Sequence, residues 1–112
     1  MGRLVEKKEI EKKAEAIIEE TIQFDFPFLS SQDRRREIVL EKKQYVEEKL
    51  QEVAEEIFPA EDELRKIWEE SVEQTERKFS SLSSKTRLNG FYLQELLHYY
   101  AGKIRDEILS MI

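Results

Sequence analysis

The stretch "SSLSSKTRLNGFYLQELLHYY", residues 80–100, decides how this chain folds. It opens on serines and basic residues, passes through Asn89 and Gly90, and ends in a dense run of leucines and tyrosines. The chain as a whole carries a net charge of −6, yet it gathers positive charge and aromatic rings here. Leu93, Leu97, Tyr100, Ile104 and Ile108 recur at helical spacing, and Leu88, Tyr92, Leu96 and Tyr99 form a second stripe beside them. A helix that is apolar around most of its circumference is buried on more than one side. The segment therefore reads as the element around which the acidic helices pack, or as a subunit interface. Gly102 interrupts it, at a helix cost of about 1 kcal/mol relative to alanine, and reads as a place where a neighbouring helix comes close.

Working outward, the spacing predicts helices over about 3–22, 31–57, 60–79 and 84–111. In the first, Ile10, Ala14, Ile17, Ile18 and Ile22 make one apolar stripe among charges. "FDFPFLSS" (24–31) then breaks the helix, because Pro27 has no N–H to donate and disfavours helix at Phe26. Its rings read either as a plug for the end of a bundle or as a patch facing a partner.

In the second helix Val39, Val46 and Val53 recur every seven residues, with Leu50 and Ile57 four residues after the later two. This is a heptad-like seam interrupted by Lys43, which serves equally for packing within the chain or between two chains. Pro59 ends it, and Glu61, Asp62 and Glu63 open the third helix where its dipole favours acids. Leu64, Ile67, Trp68, Val72, Thr75 and Phe79 form its inner face.

The expected fold is all-α: a four-helix, mostly antiparallel bundle in a single domain spanning 1–112. At 1.5 Å per residue the second helix reaches about 40 Å and the first about 30 Å. The overhang needs cover, so homodimerisation is expected to complete the bundle. Val39, Val46, Leu50, Val53, Tyr92, Tyr99 and Tyr100 are the interface candidates.

The 112 residues contain no cysteine, which excludes disulfides, thiolate nucleophiles and cysteine zinc sites. No apolar run resembles a signal peptide or a membrane span, and Glu6 stands where a myristoylation motif needs Ser or Thr. The expected compartment is the cytoplasm, with no membrane partner. There is no glycine-rich phosphate loop and no nucleophilic triad, so no catalytic residue and no cofactor are expected.

Between residues 77 and 105 six basic side chains face Glu95 alone. A second cluster, Arg34, Arg35 and Arg36, occupies the first turn of the second helix, where the macrodipole disfavours cations. Arginine forks bind phosphate and carboxylate. With Lys78, Lys85 and Arg87 they form a candidate anion- or nucleic-acid-binding set, to which the tyrosines could add base stacking. The net charge counts against that use, and the 25 acidic side chains offer the arginines ample partners within the protein. Glu95 and His98 have the i, i+3 spacing of a Glu-x-x-His metal motif. A full site needs a second motif, which only a symmetric dimer would bring, and so short a spacing arises readily by chance.

Three functions follow. The leading one is a non-catalytic helical interaction or scaffold module, binding itself, another protein, or both. The alternatives are a nucleic-acid or phosphate binder using local basic patches, and a metal-dependent enzyme with a symmetric site in a dimer.

Overall fold

The computed structural model describes residues 2–23, 32–78 and 90–112, and within them the side chains of 7–21, 23, 36–78 and 92–112. The aromatic segment 24–29, Phe79, Leu88 and the basic residues Lys85 and Arg87 lie outside the described residues, as do the side chains of Arg34 and Arg35. Four helices make up the described chain: α1 (Gly2–Ile22), α2 (Gln32–Ala54), α3 (Glu61–Lys78) and α4 (Gly90–Ser110). No strand occurs among the described residues, and no helix among them is long and apolar enough to cross a membrane.

The helix directions follow from paired residues. His98 of α4 lies 3.3 Å from the Ile18 carbonyl of α1, and Arg105 lies 3.8 Å from Glu15, so α1 and α4 run antiparallel. Tyr92 reaches Glu76 at 2.6 Å while Tyr100 meets Trp68, so α3 and α4 are also antiparallel. Glu20 of α1 accepts a bond from Tyr45 of α2, and Ile10 lies beside Val53 and Ala54, which opposes that pair too. α2 and α4 run the same way: Val39 packs beside Tyr92, and Glu47 meets Tyr100.

The arrangement is not an even square. α4 packs closely on all three other helices and α1 also packs on α2, but the Cα traces of α2 and α3 nowhere come within 8 Å. The core accordingly centres on α4. Leu97, Tyr100, Ala101, Ile104 and Ile108 are fully buried against Ala14 and Ile18 of α1, Val46, Leu50 and Ala54 of α2, and Ile67 of α3. A second cluster, Tyr92, Leu93 and Leu96, packs against Ile38, Val39, Trp68 and Val72. The α3 face toward α4 includes the small buried residues Ser71 and Thr75. Their hydroxyls donate to the carbonyls of Ile67 and Ser71 at 2.7 Å, which satisfies both groups inside the helix.

One boundary differs clearly from the sequence expectation. α2 ends at Ala54 rather than at 57, because Glu55 adopts a left-handed conformation with φ of 54°. The Glu55 N–H still donates to Gln51 at 2.7 Å, the bond pattern of a left-handed helix cap. The early stop turns Ile57 and Phe58 back onto the core and seats Pro59 in a buried position, so α3 reverses against α2. Helix α3 is framed as expected, with Glu61, Asp62 and Glu63 in its first turn and Arg77 and Lys78 in its last.

The expectation for Gly102 is overturned. A Cβ placed there meets nothing within 4 Å, so no close helix approach depends on it. Gly102→Ala is therefore expected to stabilise the fold by about 0.5–1 kcal/mol through helix propensity. Urea unfolding followed by circular dichroism measures this directly; a loss of stability would show a close contact at that face.

Candidate functional site

α3 packs through its backbone on α4 alone, and side chains of α2 cross the gap that separates it from α3. Helices that pack directly lie about 8–10 Å apart, so their Cα atoms come within contact range; here long side chains span the distance instead. Lys43 of α2, half-buried, extends its ammonium to 5.3 Å from the Trp68 ring centre of α3 and 5.7 Å from that of Tyr100. Both distances suit a cation over a ring face. Lys43 also donates to Glu47 at 2.8 Å, one helical turn on. Tyr100, on α4 at the floor of the gap, donates its hydroxyl to the same Glu47 oxygen at 2.6 Å. Trp68 meets the Tyr100 ring edge-on at 4.9 Å and 82°.

These four residues form a continuous polar and aromatic seam. Burial pushes the Tyr100 phenol well above the usual range, and the hydrogen bond to Glu47 and its negative charge add to the rise. Tyr45, partly buried at the α1–α2 boundary, is raised chiefly by its hydrogen bond to Glu20. Lys43, which breaks the heptad pattern in the sequence, is thus the residue that bridges the gap.

The seam opens outward as two adjoining hollows. One, of about 190 Å³, is lined by Lys43, Glu47, Glu61, Leu64, Arg65 and Trp68. The other, of about 380 Å³, is lined by Gln44, Glu47, Glu48, Gln51, Phe58, Pro59, Glu61 and Leu64. Leu64, Trp68 and Phe58 are each only partly buried, and Leu40, on the same edge of α2, is 57% exposed. Leu40 was not among the interface candidates. Its position off the heptad stripe is the signal that could have singled it out.

The sequence-derived interface set divides. Val46, Leu50, Tyr92 and Tyr100 are at most 5% exposed within one chain, which makes them core residues and leaves them no surface for a second chain. Burial likewise removes Tyr92 and Tyr100 as platforms for stacking nucleic-acid bases. Val39, Val53 and Tyr99 keep part of their surface. Val53 lines a separate hollow of about 240 Å³ between α1 and α2, and Tyr99 lies under the Lys103 ammonium at 5.5 Å.

Among the basic candidates, Arg36 is exposed near the N-terminus of α2. Lys78 pairs with Glu95 at 2.8 Å, an exposed bridge worth at most about 1 kcal/mol. The first turn of α2 and the last turn of α3 lie at the same pole of the bundle, as the helix directions require. Arg34, Arg35, Arg36 and Lys78 are therefore brought to one end of the molecule.

Glu95 and His98 do not act together. Glu95 faces Lys78 of α3, whereas His98 Nδ1 lies 3.3 Å from both the Ile18 carbonyl and the Thr21 hydroxyl of α1. A carbonyl only accepts, so the network assigns the ring proton to Nδ1. The His98 contact thus ties α4 to α1. No group of three or more metal-ligating side chains occurs among the described residues. No family model, curated protein or solved structure matches the chain.

The raised Tyr100 phenol gives a pH test. The folded protein keeps this proton at a pH where the unfolded chain, ionising near pH 10, releases it. The resulting stabilisation is complete below about pH 9 and falls as pH climbs past 10. Tyr100→Phe is expected to lower stability by about 1 kcal/mol at pH 7 and to flatten the decline between about pH 9 and 11. Urea midpoints across that range, with Tyr45→Phe for comparison, measure it; an unchanged slope in Tyr100→Phe would contradict the assignment.

Proposed function

We propose that this chain is a cytoplasmic, non-catalytic helical interaction module that works as a homodimer and scaffolds through its helix faces. The open α2–α3 seam carries this reading. α1 is closed against both α2 and α4, and α3 against α4, while α2 and α3 leave a furrow lined by Leu64, Trp68 and Phe58 with Leu40 at its edge. An exposed apolar edge beside an open furrow is the form a helix-recognition surface takes. Its rim carries both charge signs, Lys43 and Arg65 against Glu47 and Glu61, which suits a protein surface better than a polyanion.

A second reading, phosphate or nucleic-acid binding, draws support from the placement of the helix segments that carry Arg34, Arg35, Arg36 and Lys78 at one pole. On that reading Lys85 and Arg87, in the connection between α3 and α4, would add to the same set. A metal-dependent enzyme draws no such support, since Glu95 and His98 point to different neighbours.

Sedimentation equilibrium from about 1 to 200 μM separates the two. The module is expected to show twice the chain mass in the micromolar range, largely independent of salt. A single-chain mass throughout would remove the dimer. In the same cell, a fluorescein-labelled single-stranded RNA or duplex DNA should sediment freely at moderate salt. Co-sedimentation that weakens steeply as salt rises would instead establish the second reading.

A further inference from the structure

The floor and the walls of the α2–α3 furrow differ in chemistry. Phe58, Pro59 and Leu64 floor the larger hollow, and the smaller one continues that floor to Trp68. Phe58, Leu64 and Trp68 are each only partly buried, so the floor keeps apolar surface in contact with water. The walls above it are acidic on both sides. Glu48 lines the larger hollow from α2, and Glu61 lines it from the start of α3. Both are exposed, and neither forms an ion pair among the described residues. No lysine or arginine among the described residues lines this hollow.

The same sign extends along the furrow. By helical register the α2 edge carries Asp33, Glu37, Glu48 and Glu55 against Arg36, since Lys43 and Glu47 neutralise each other. The α3 edge carries Glu61, Glu69 and Glu76 against Arg65. Lys43 also shows what the inner wall holds. Its ammonium lies against the Glu47 carboxylate and over the Trp68 and Tyr100 rings. The furrow thus already binds one primary ammonium, supplied by the chain itself.

We propose that this furrow receives a cationic amphipathic helix of a partner protein. The apolar stripe of that helix lies on Phe58, Leu64 and Trp68, and lysines or arginines along its two borders meet Glu48 on one wall and Glu61 on the other. This rests on the reading of the chain as an interaction module and names the chemistry of the partner. A helix suits the shape, because an apolar stripe at i, i+3, i+4 and i+7 is bordered on both sides by polar positions. One element therefore meets an apolar floor between two charged walls. Complementary charge steers the encounter and fixes the register, and the same walls repel a polyanion.

Trp68, the single tryptophan of the chain, lines this floor and reports on its occupancy. The probe is a fluorescein-labelled peptide of 18 residues, the length of α3, with leucines at helical spacing, lysines elsewhere and no tryptophan. Its anisotropy should rise with micromolar protein, and the Trp68 emission should change in parallel. A labelled oligolysine of the same charge should bind at least about tenfold more weakly. The double variant Glu48→Lys/Glu61→Lys should also bind the peptide at least about tenfold more weakly, with helix content by circular dichroism unchanged. Glu63→Lys/Glu70→Lys changes the charge equally on the opposite edge of α3 and should bind as the wild type does. Glu63 shares the first turn of α3 with Glu61, so both double variants lose the same dipole contribution. No binding to about 200 μM, binding that leaves the Trp68 emission unchanged, or equal binding by oligolysine or by both double variants overturns the furrow as a cationic-helix site. A dimer in sedimentation equilibrium alongside such a result leaves the interaction module standing, whereas a single-chain mass with no peptide bound removes both.

Discussion

The structure depends on hiding one helix. α4 presents Tyr92, Leu93, Leu96, Leu97, Tyr100, Ala101, Ile104 and Ile108 in directions that no single neighbour can cover, and all eight are buried. Burying a large aliphatic or aromatic side chain is worth about 1.5–3 kcal/mol, so this helix dominates the apolar burial of a small domain. The other helices are amphipathic and can each turn one charged face to water. Three of them around one apolar helix is the arrangement that satisfies both demands. It also explains why α2 and α3 stand apart: both turn toward α4 rather than toward each other.

The polar contacts follow from that geometry. Tyr100 is fully buried, so its hydroxyl needs an acceptor, and Glu47 supplies it from α2. Lys43 then offsets the Glu47 charge and lays its ammonium over two rings. The same logic applies at Tyr92 with Glu76 and at His98 with the Ile18 carbonyl. Each of these contacts joins α4 to a different neighbour, so the polar groups of the central helix also fix which helix lies on which side.

Much of this was legible in the residues. The all-helical class and four helices followed from apolar spacing, and the doubled stripe of α4 marked it as the central element. Pattern alone could not say whether the tyrosines faced the core or a partner, since an aromatic residue at helical spacing serves either. Burial decided for the core at Tyr92 and Tyr100, and with it Val46 and Leu50 ceased to be candidates for a chain–chain seam. Lys43 read as a flaw in a heptad because the heptad assumes two helices in contact, whereas here a long side chain crosses a gap. Gly102 read as a close approach because glycine in a helix usually has a reason, and the space around it is empty. The left-handed Glu55 left no trace in the sequence, since glycine or asparagine is the usual residue there.

Native-state hydrogen exchange tests the central place of α4 most directly. If the other helices are held mainly by packing on it, the amides of residues 96–104 should exchange only through global unfolding and be the slowest in the protein. Their opening free energy should equal that from urea unfolding, while the outer helices exchange through smaller, local openings. Slowest exchange in the middle of α1 or α2, with α4 opening below the global value, would contradict the account.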